Sequence, residues 1–96
     1  MKVRVLDAAR FELRDAIRYY NGERAGLGDE FKEEVRSTLE RVKSFPLAWQ
    51  PLSKNTRRCT TRRFPYGVIY QVRSDEILVV AVAHLHRNPD YWADRI

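Results

Sequence analysis

Residues Arg57 to Trp92 read RRCTTRRFPYGVIYQVRSDEILVVAVAHLHRNPDYW, and how this stretch divides decides the fold. Three runs rich in Val, Ile, Tyr and Thr lie within it, each bounded by a turn signal, which is the pattern of successive strands. The first runs from Arg57 to Arg63 and carries Arg57, Arg58, Arg62 and Arg63 around Cys59. Phe64-Pro65-Tyr66-Gly67 follows as a turn or bulge. In the second run Tyr66, Val68, Tyr70 and Val72 share one face, because side chains alternate along a strand. Ser74-Asp75-Glu76 closes a hairpin. The third run, Ile77 to Ala83, is wholly apolar and is expected to be a central strand buried on both faces. His84 to Arg87 continues off its end, and Pro89 opens a last helical turn through Arg95.

Working outward toward the start of the chain, Lys2 to Leu6 alternates as a short half-buried strand does. Asp7 offers a helix cap, with Leu6 and Phe11 placed to staple across it. Ala9, Leu13, Ala16, Ile17 and Tyr20 then recur at helical spacing, while Tyr19 points outward and Asn21-Gly22 ends the helix. Gly26-Leu27-Gly28 makes the bend. A second helix carries Leu27, Phe31, Val35, Leu39 and Val42 on one stripe. Its acids crowd the start and its bases the finish, complementing the helix dipole, and Pro46 stops it. Leu47 to Thr56 reads as a loop in which Trp49 plugs the core. The expected architecture is α+β. An N-terminal strand and an αα-hairpin cover a mainly antiparallel three-stranded sheet, with a short C-terminal helical turn, all in a single domain over residues 1–96.

Composition narrows the function. At 96 residues with 44% hydrophobic content the chain suits one globular core rather than a disordered segment. Ile77 to Ala83 is too short to cross a bilayer, and Met1-Lys2-Val3-Arg4 leads into a strand instead of a secretory signal. A cytoplasmic protein with no membrane partner is expected. Lone Cys59 excludes an internal disulfide, and its small side chain suits a strand residue in the core. His84 and His86 share a strand face but find no third ligand short of Asp90 or Asp94, so neither metal nor other cofactor is expected. Net charge is +5, with Lys and Arg nearly balanced by acids up to residue 45 (ten against nine) and in excess beyond it (eight against four). No acid stands between Glu40 and Asp75. A one-signed field of this kind steers toward a polyanion or an acidic protein.

Tyr19-Tyr20, Gly26-Leu27-Gly28 and Phe31 in the helical hairpin, then RRFPYGVIYQV (62–72), ILVVAVAH (77–84) and HRNPDYW (86–92), occur in a telling order. Together, over residues 1 to 95, they resemble the RelE/ParE superfamily of bacterial toxins, and in particular its ParE-like, plasmid-stabilisation branch. The resemblance implies a growth-inhibiting toxin of a type II toxin–antitoxin module, silenced by a cognate antitoxin. It implies one of two targets, DNA gyrase for ParE-like members or ribosome-bound mRNA for RelE-like endonucleases. An inactive relative that only binds its partner is a third reading. RelE-like nucleases carry an arginine at the start of the strand that holds Val68-Ile69-Tyr70, where this chain has Gly67. That departure favours gyrase inhibition over catalysis. His86 and Tyr91 fall near positions where relatives carry catalytic groups, and Arg62 and Arg63 offer phosphate contacts, so these four are the candidates if RNA is cut. Antitoxin or target binding is expected at Tyr19, Lys54, Arg57, Arg58, Arg62, Arg63, Arg73, Arg87, Tyr91 and Trp92.

Overall fold

The structure, a computed structural model, describes all of residues 1–96. Strand β1 (Lys2–Val5) leads into helices α1 (Asp7–Glu23) and α2 (Leu27–Ser44). Strands β2 (Gln50–Pro51), β3 (Thr56–Thr60), β4 (Tyr66–Val72) and β5 (Glu76–His84) follow, and a 3₁₀ turn (Ala93–Arg95) ends the chain. All the strands join one sheet in the order β1-β5-β4-β3-β2.

The sheet therefore has five strands where the sequence suggested three. β1 lies parallel to β5, Lys2 opposite Glu76 through Val5 opposite Val79, and the helical hairpin supplies the long crossover that a parallel pair needs. With β1 on one side and β4 on the other, β5 is sealed on both edges over its first half. Its residues Ile77 to Ala83 are all buried, as the apolar run required. The second addition is β2, two residues inside the expected loop, paired with Arg57 and Arg58. Pro51 has no N–H to donate, so the strand stays short and the sheet ends there.

Strand β3 is also shorter than its arginine-rich run. The Thr61 hydroxyl bonds the carbonyls of Phe64 and Tyr66 at 2.8 and 3.1 Å, and Phe64 adopts a left-handed φ of 71°. The chain turns here, so Arg62 and Arg63 leave the sheet. At the start of α1, Leu6 rather than Asp7 holds the cap position, with no side-chain bond closing the turn. Its N–H continues the β1 ladder to the Val79 carbonyl at 3.0 Å, and its side chain packs against the sheet face away from the helices. Phe11 is left 66% exposed and the expected staple does not form.

Both helices lie on one face of the sheet. Ala9, Ala16, Phe31 and Val35 meet Val68, Val79 and Val82 there, and Tyr20, Phe64 and Tyr66 ring Phe31 with centroids 4.8 to 5.2 Å away. The end of α2 closes a neighbouring cluster of Val42, Cys59, Tyr70 and Ile77, edged by Trp49 as foreseen. On the far face Ile69, Leu78, Val80, Ala81 and Ala83 are covered only by Trp92, with Leu6, Leu52 and Tyr91 at the margins. A bulge lets both faces fit. Ile69 pairs with Ala81 but Tyr70 with Val79, so Val80 is the extra residue, and beyond it Val82 and His84 turn toward the helices.

Candidate functional site

Two hollows flank the end of β5 and share His84 and Arg87. One opens between α1 and the ends of β4 and β5, lined by Glu12, Asp15, Ala16, Tyr19, Tyr66 and Val82 besides the shared pair, with a volume of about 240 Å³. The other lies on the far face, where the tail crosses the sheet. Arg58, Ile69 and Ala83 form its sheet wall, and Asn88 to Trp92 its tail wall.

The tail is held by one carboxylate. Glu12 leaves α1 at the flank of the apolar stripe and accepts from the Tyr91 hydroxyl at 2.6 Å. Arg95 donates to both its oxygens at 2.9 and 3.1 Å, and Arg87 stands 3.7 Å away. The same carboxylate accepts the Val82 N–H at 3.1 Å, while Arg95 donates to the Val80 carbonyl at 3.0 Å. Past Val79 the edge of β5 has no strand beside it, and this ion pair takes up its exposed backbone groups instead. The Arg87 guanidinium lies 3.9 Å from the Tyr91 ring centroid and that of Arg95 5.0 Å, so the phenol is clasped by two cations. Burial first, then the hydrogen bond to Glu12, pushes the Tyr91 hydroxyl far above the ordinary tyrosine range. The hydroxyl is thus held protonated as a donor to Glu12.

The remaining arginines disperse. Arg63 reaches around the hairpin to α2, its guanidinium 3.0 Å from Glu30 and its backbone N–H on Glu34, and that contact holds the Glu30 carboxyl below its usual range. Arg62 stands beside it in the same turn, exposed. Arg57 bonds the Trp49 carbonyl at 2.9 Å on the helix side of the sheet. Lys54 sits in the β2–β3 loop and Arg73 in the β4–β5 turn, where it bonds Gln71 at 3.1 Å. Tyr19 is 60% exposed at the first hollow, as its position on α1 predicted. His86 is exposed, lies tilted against His84 with ring centroids 5.2 Å apart and lines neither hollow. Of the expected binding residues, Arg58, Arg87, Tyr91 and Trp92 come together on the far face; Arg62 and Arg63 are remote from them.

Gly67 has a local explanation. A Cβ there would stand 2.9 Å from the Arg58 Cγ and Cδ, because the stem of Arg58 crosses directly over the glycine. The guanidinium then reaches the Gln50 amide at 2.8 Å. Cys59 is buried, and desolvation pushes its thiol up despite nearby arginines, so it is a packing residue. The sequence singled out Arg87 and Tyr91 but missed Glu12, which holds both of them together with Arg95. Nothing near Glu12 in the chain signals this, since its partners lie 70 to 83 residues away.

A helical hairpin inserted between two parallel strands of one small twisted sheet, with a charged tail clasped across its far face, is the RelE/ParE toxin architecture. One solved structure, described as a chromosomal ParDE toxin–antitoxin system from P. aeruginosa, superposes with a TM-score of 0.68 at 16% identity, covering 90% of this chain and 97% of that one. The family model for the ParE toxin of type II toxin–antitoxin systems, parDE, matches residues 3–89. The chain belongs to this ParE toxin family and is the toxin of a type II toxin–antitoxin system. Among curated proteins none matches it significantly. No helix is long and apolar enough to cross a membrane.

Proposed function

We propose that this protein arrests growth by docking on DNA gyrase, performs no chemistry itself, and is held silent in the cytoplasm by a cognate antitoxin. Its family membership supports a toxin, and one observation favours docking over catalysis. The four side chains that RNA cleavage would recruit do not converge: Tyr91 is tied to Glu12, Arg63 to Glu30 with Arg62 beside it, and His86 stands in solvent. Without a positioned base and acid, in-line attack by a 2′-hydroxyl gains little. Purified protein added to gyrase and relaxed plasmid is expected to block supercoiling in proportion to the toxin present. Unimpaired supercoiling at a molar excess of toxin, from protein that still arrests cells, would rule gyrase out.

A second reading, ribosome-dependent mRNA cleavage, draws on the far-face hollow, where Arg58, Arg87 and Tyr91 meet. Primer extension on translated message after induction tests it, with Arg87→Ala, which alters the hollow's lining, as the comparison. New 5′ ends that vanish in the variant would favour this reading; no new ends remove it. A chain that causes no growth defect on induction would be a partner-binding relative only.

A further inference from the structure

Two residues that line the far-face hollow each carry a buried donor with nothing to donate to. Nε of Arg58 and Nε1 of Trp92 are both shut off from solvent and lack any hydrogen-bond partner. Both residues line the same space, about 240 Å³, whose remaining surface includes Leu52, Ile69, Ala83 and Leu85. Trp92 is 95% buried, and native proteins rarely leave such an N–H unpaired. The other indole of the chain behaves as expected, since Trp49 Nε1 donates to the Arg41 carbonyl at 3.3 Å.

We propose that this hollow is a socket for a carboxylate on an apolar stem, an Asp or Glu side chain presented by an acidic segment of a protein partner. The proposal rests on the reading of the protein as one that docks. The Arg58 guanidinium supplies the charge, as its acceptor is the neutral Gln50 amide. Arg87 does not add a free cation, because it faces Glu12 and the Tyr91 ring, and Asp90 stands at the tail wall. One unneutralised guanidinium and an unpaired indole N–H on the walls of one hollow match a monoanion; a phosphate dianion would call for more positive charge. The apolar wall receives the stem, and the partly exposed Leu85 at the rim offers contact to flanking residues. Because both nitrogens are sealed in the free protein, the rim side chains shift as the acid enters, and two unpaired donors become paired. Gly67 belongs to the design, since any side chain there would displace the Arg58 stem.

The two indole N–H resonances of the ¹⁵N-labelled toxin read this directly, with Trp49 as internal control. The probes are the peptide acetyl-Leu-Glu-Leu-amide, its Gln counterpart, and inorganic phosphate. The Glu peptide is expected to move the Trp92 indole signal saturably downfield, leave Trp49 in place, and bind about tenfold more tightly than the Gln peptide. Arg58→Lys, read at the Trp92 indole, and Trp92→Phe, read at the Arg58 Nε–H, should each weaken the Glu peptide about tenfold. An unmoved Trp49 signal certifies the fold of Arg58→Lys, and unchanged circular dichroism that of Trp92→Phe. Equal binding of the two peptides, a Trp92 signal that no peptide moves, or a response to phosphate alone would each overturn the socket. Its failure is separable from that of the gyrase reading: toxin that blocks supercoiling yet ignores the peptide sinks the socket alone, and toxin that binds the peptide yet spares gyrase sinks the target alone.

Discussion

Glu12 shows how much one side chain can organise. Its carboxylate, 14% exposed, stands against Arg95, Arg87, the Tyr91 hydroxyl and the Val82 N–H, thereby joining helix, sheet edge and tail. Replacing it by Gln keeps an acceptor but leaves the largely covered Arg95 without its counter-charge. Glu12→Gln is expected to cost about 2–3 kcal/mol, measured by urea denaturation, and a midpoint equal to that of the parent would contradict the account. Tyr70 gives a second residue-scale prediction. Its hydroxyl, buried under α2, donates to the Pro46 carbonyl at 2.6 Å, and burial pushes its pKa up to about 12. In the unfolded chain it ionises near 10. Between those values the folded protein holds a proton that the unfolded chain has released. The stability linked to Tyr70 is thus intact below about pH 10 and is lost as the pH rises toward 12. Stability measured at pH 9, 10 and 11 should fall more steeply in the parent than in Tyr70→Phe. Parallel slopes would refute the assignment.

At the scale of elements, the helical hairpin depends on one close crossing. Gly28 packs so tightly on α1 that a Cβ would collide with the Ile17 carbonyl and the Asn21 amide, whose oxygen accepts the Gly28 N–H at 2.7 Å. Gly28→Ala is expected to lose about 2–4 kcal/mol, since the obstacle includes backbone and cannot simply rotate away. Thermal unfolding checks this, and a Tm unchanged within a degree would show that the helices can part cheaply. The apolar stripes of both helices were legible in the sequence because a helix repeats its face every few residues. The need for glycine at position 28 was not, because the close approach is set by the packing of two elements.

For the molecule as a whole, the far face of the sheet is the weak side. The helices cover one face, whereas Ile69, Leu78 and Val80 on the other rely on Trp92 and its neighbours. A chain ending at Arg87 would lose that cover together with Arg95, the partner of Glu12. Such a chain is expected to bind ANS and to self-associate on a sizing column, as exposed apolar patches do. A monomeric, ANS-silent truncation would mean that the tail is dispensable to the body. The same scale governs the charge. Cations that looked like one strip along Arg57 to Arg63 are distributed to three places: the helix side, the far face and the turn near α2.

The sequence by itself determined the two helices, the antiparallel β3–β4–β5 order, the buried run from Ile77 to Ala83 and the toxin family. Periodicity, turn residues and motif order are local quantities, and each is written within a few residues. Only the tertiary structure decided that β1 returns to pair with β5, that Pro51 ends a fifth strand, that Arg62 and Arg63 leave the sheet at Phe64, and that Glu12 receives the tail. These depend on which distant surfaces meet once the core has packed. No pattern inside a single element records a partner some 80 residues along the chain.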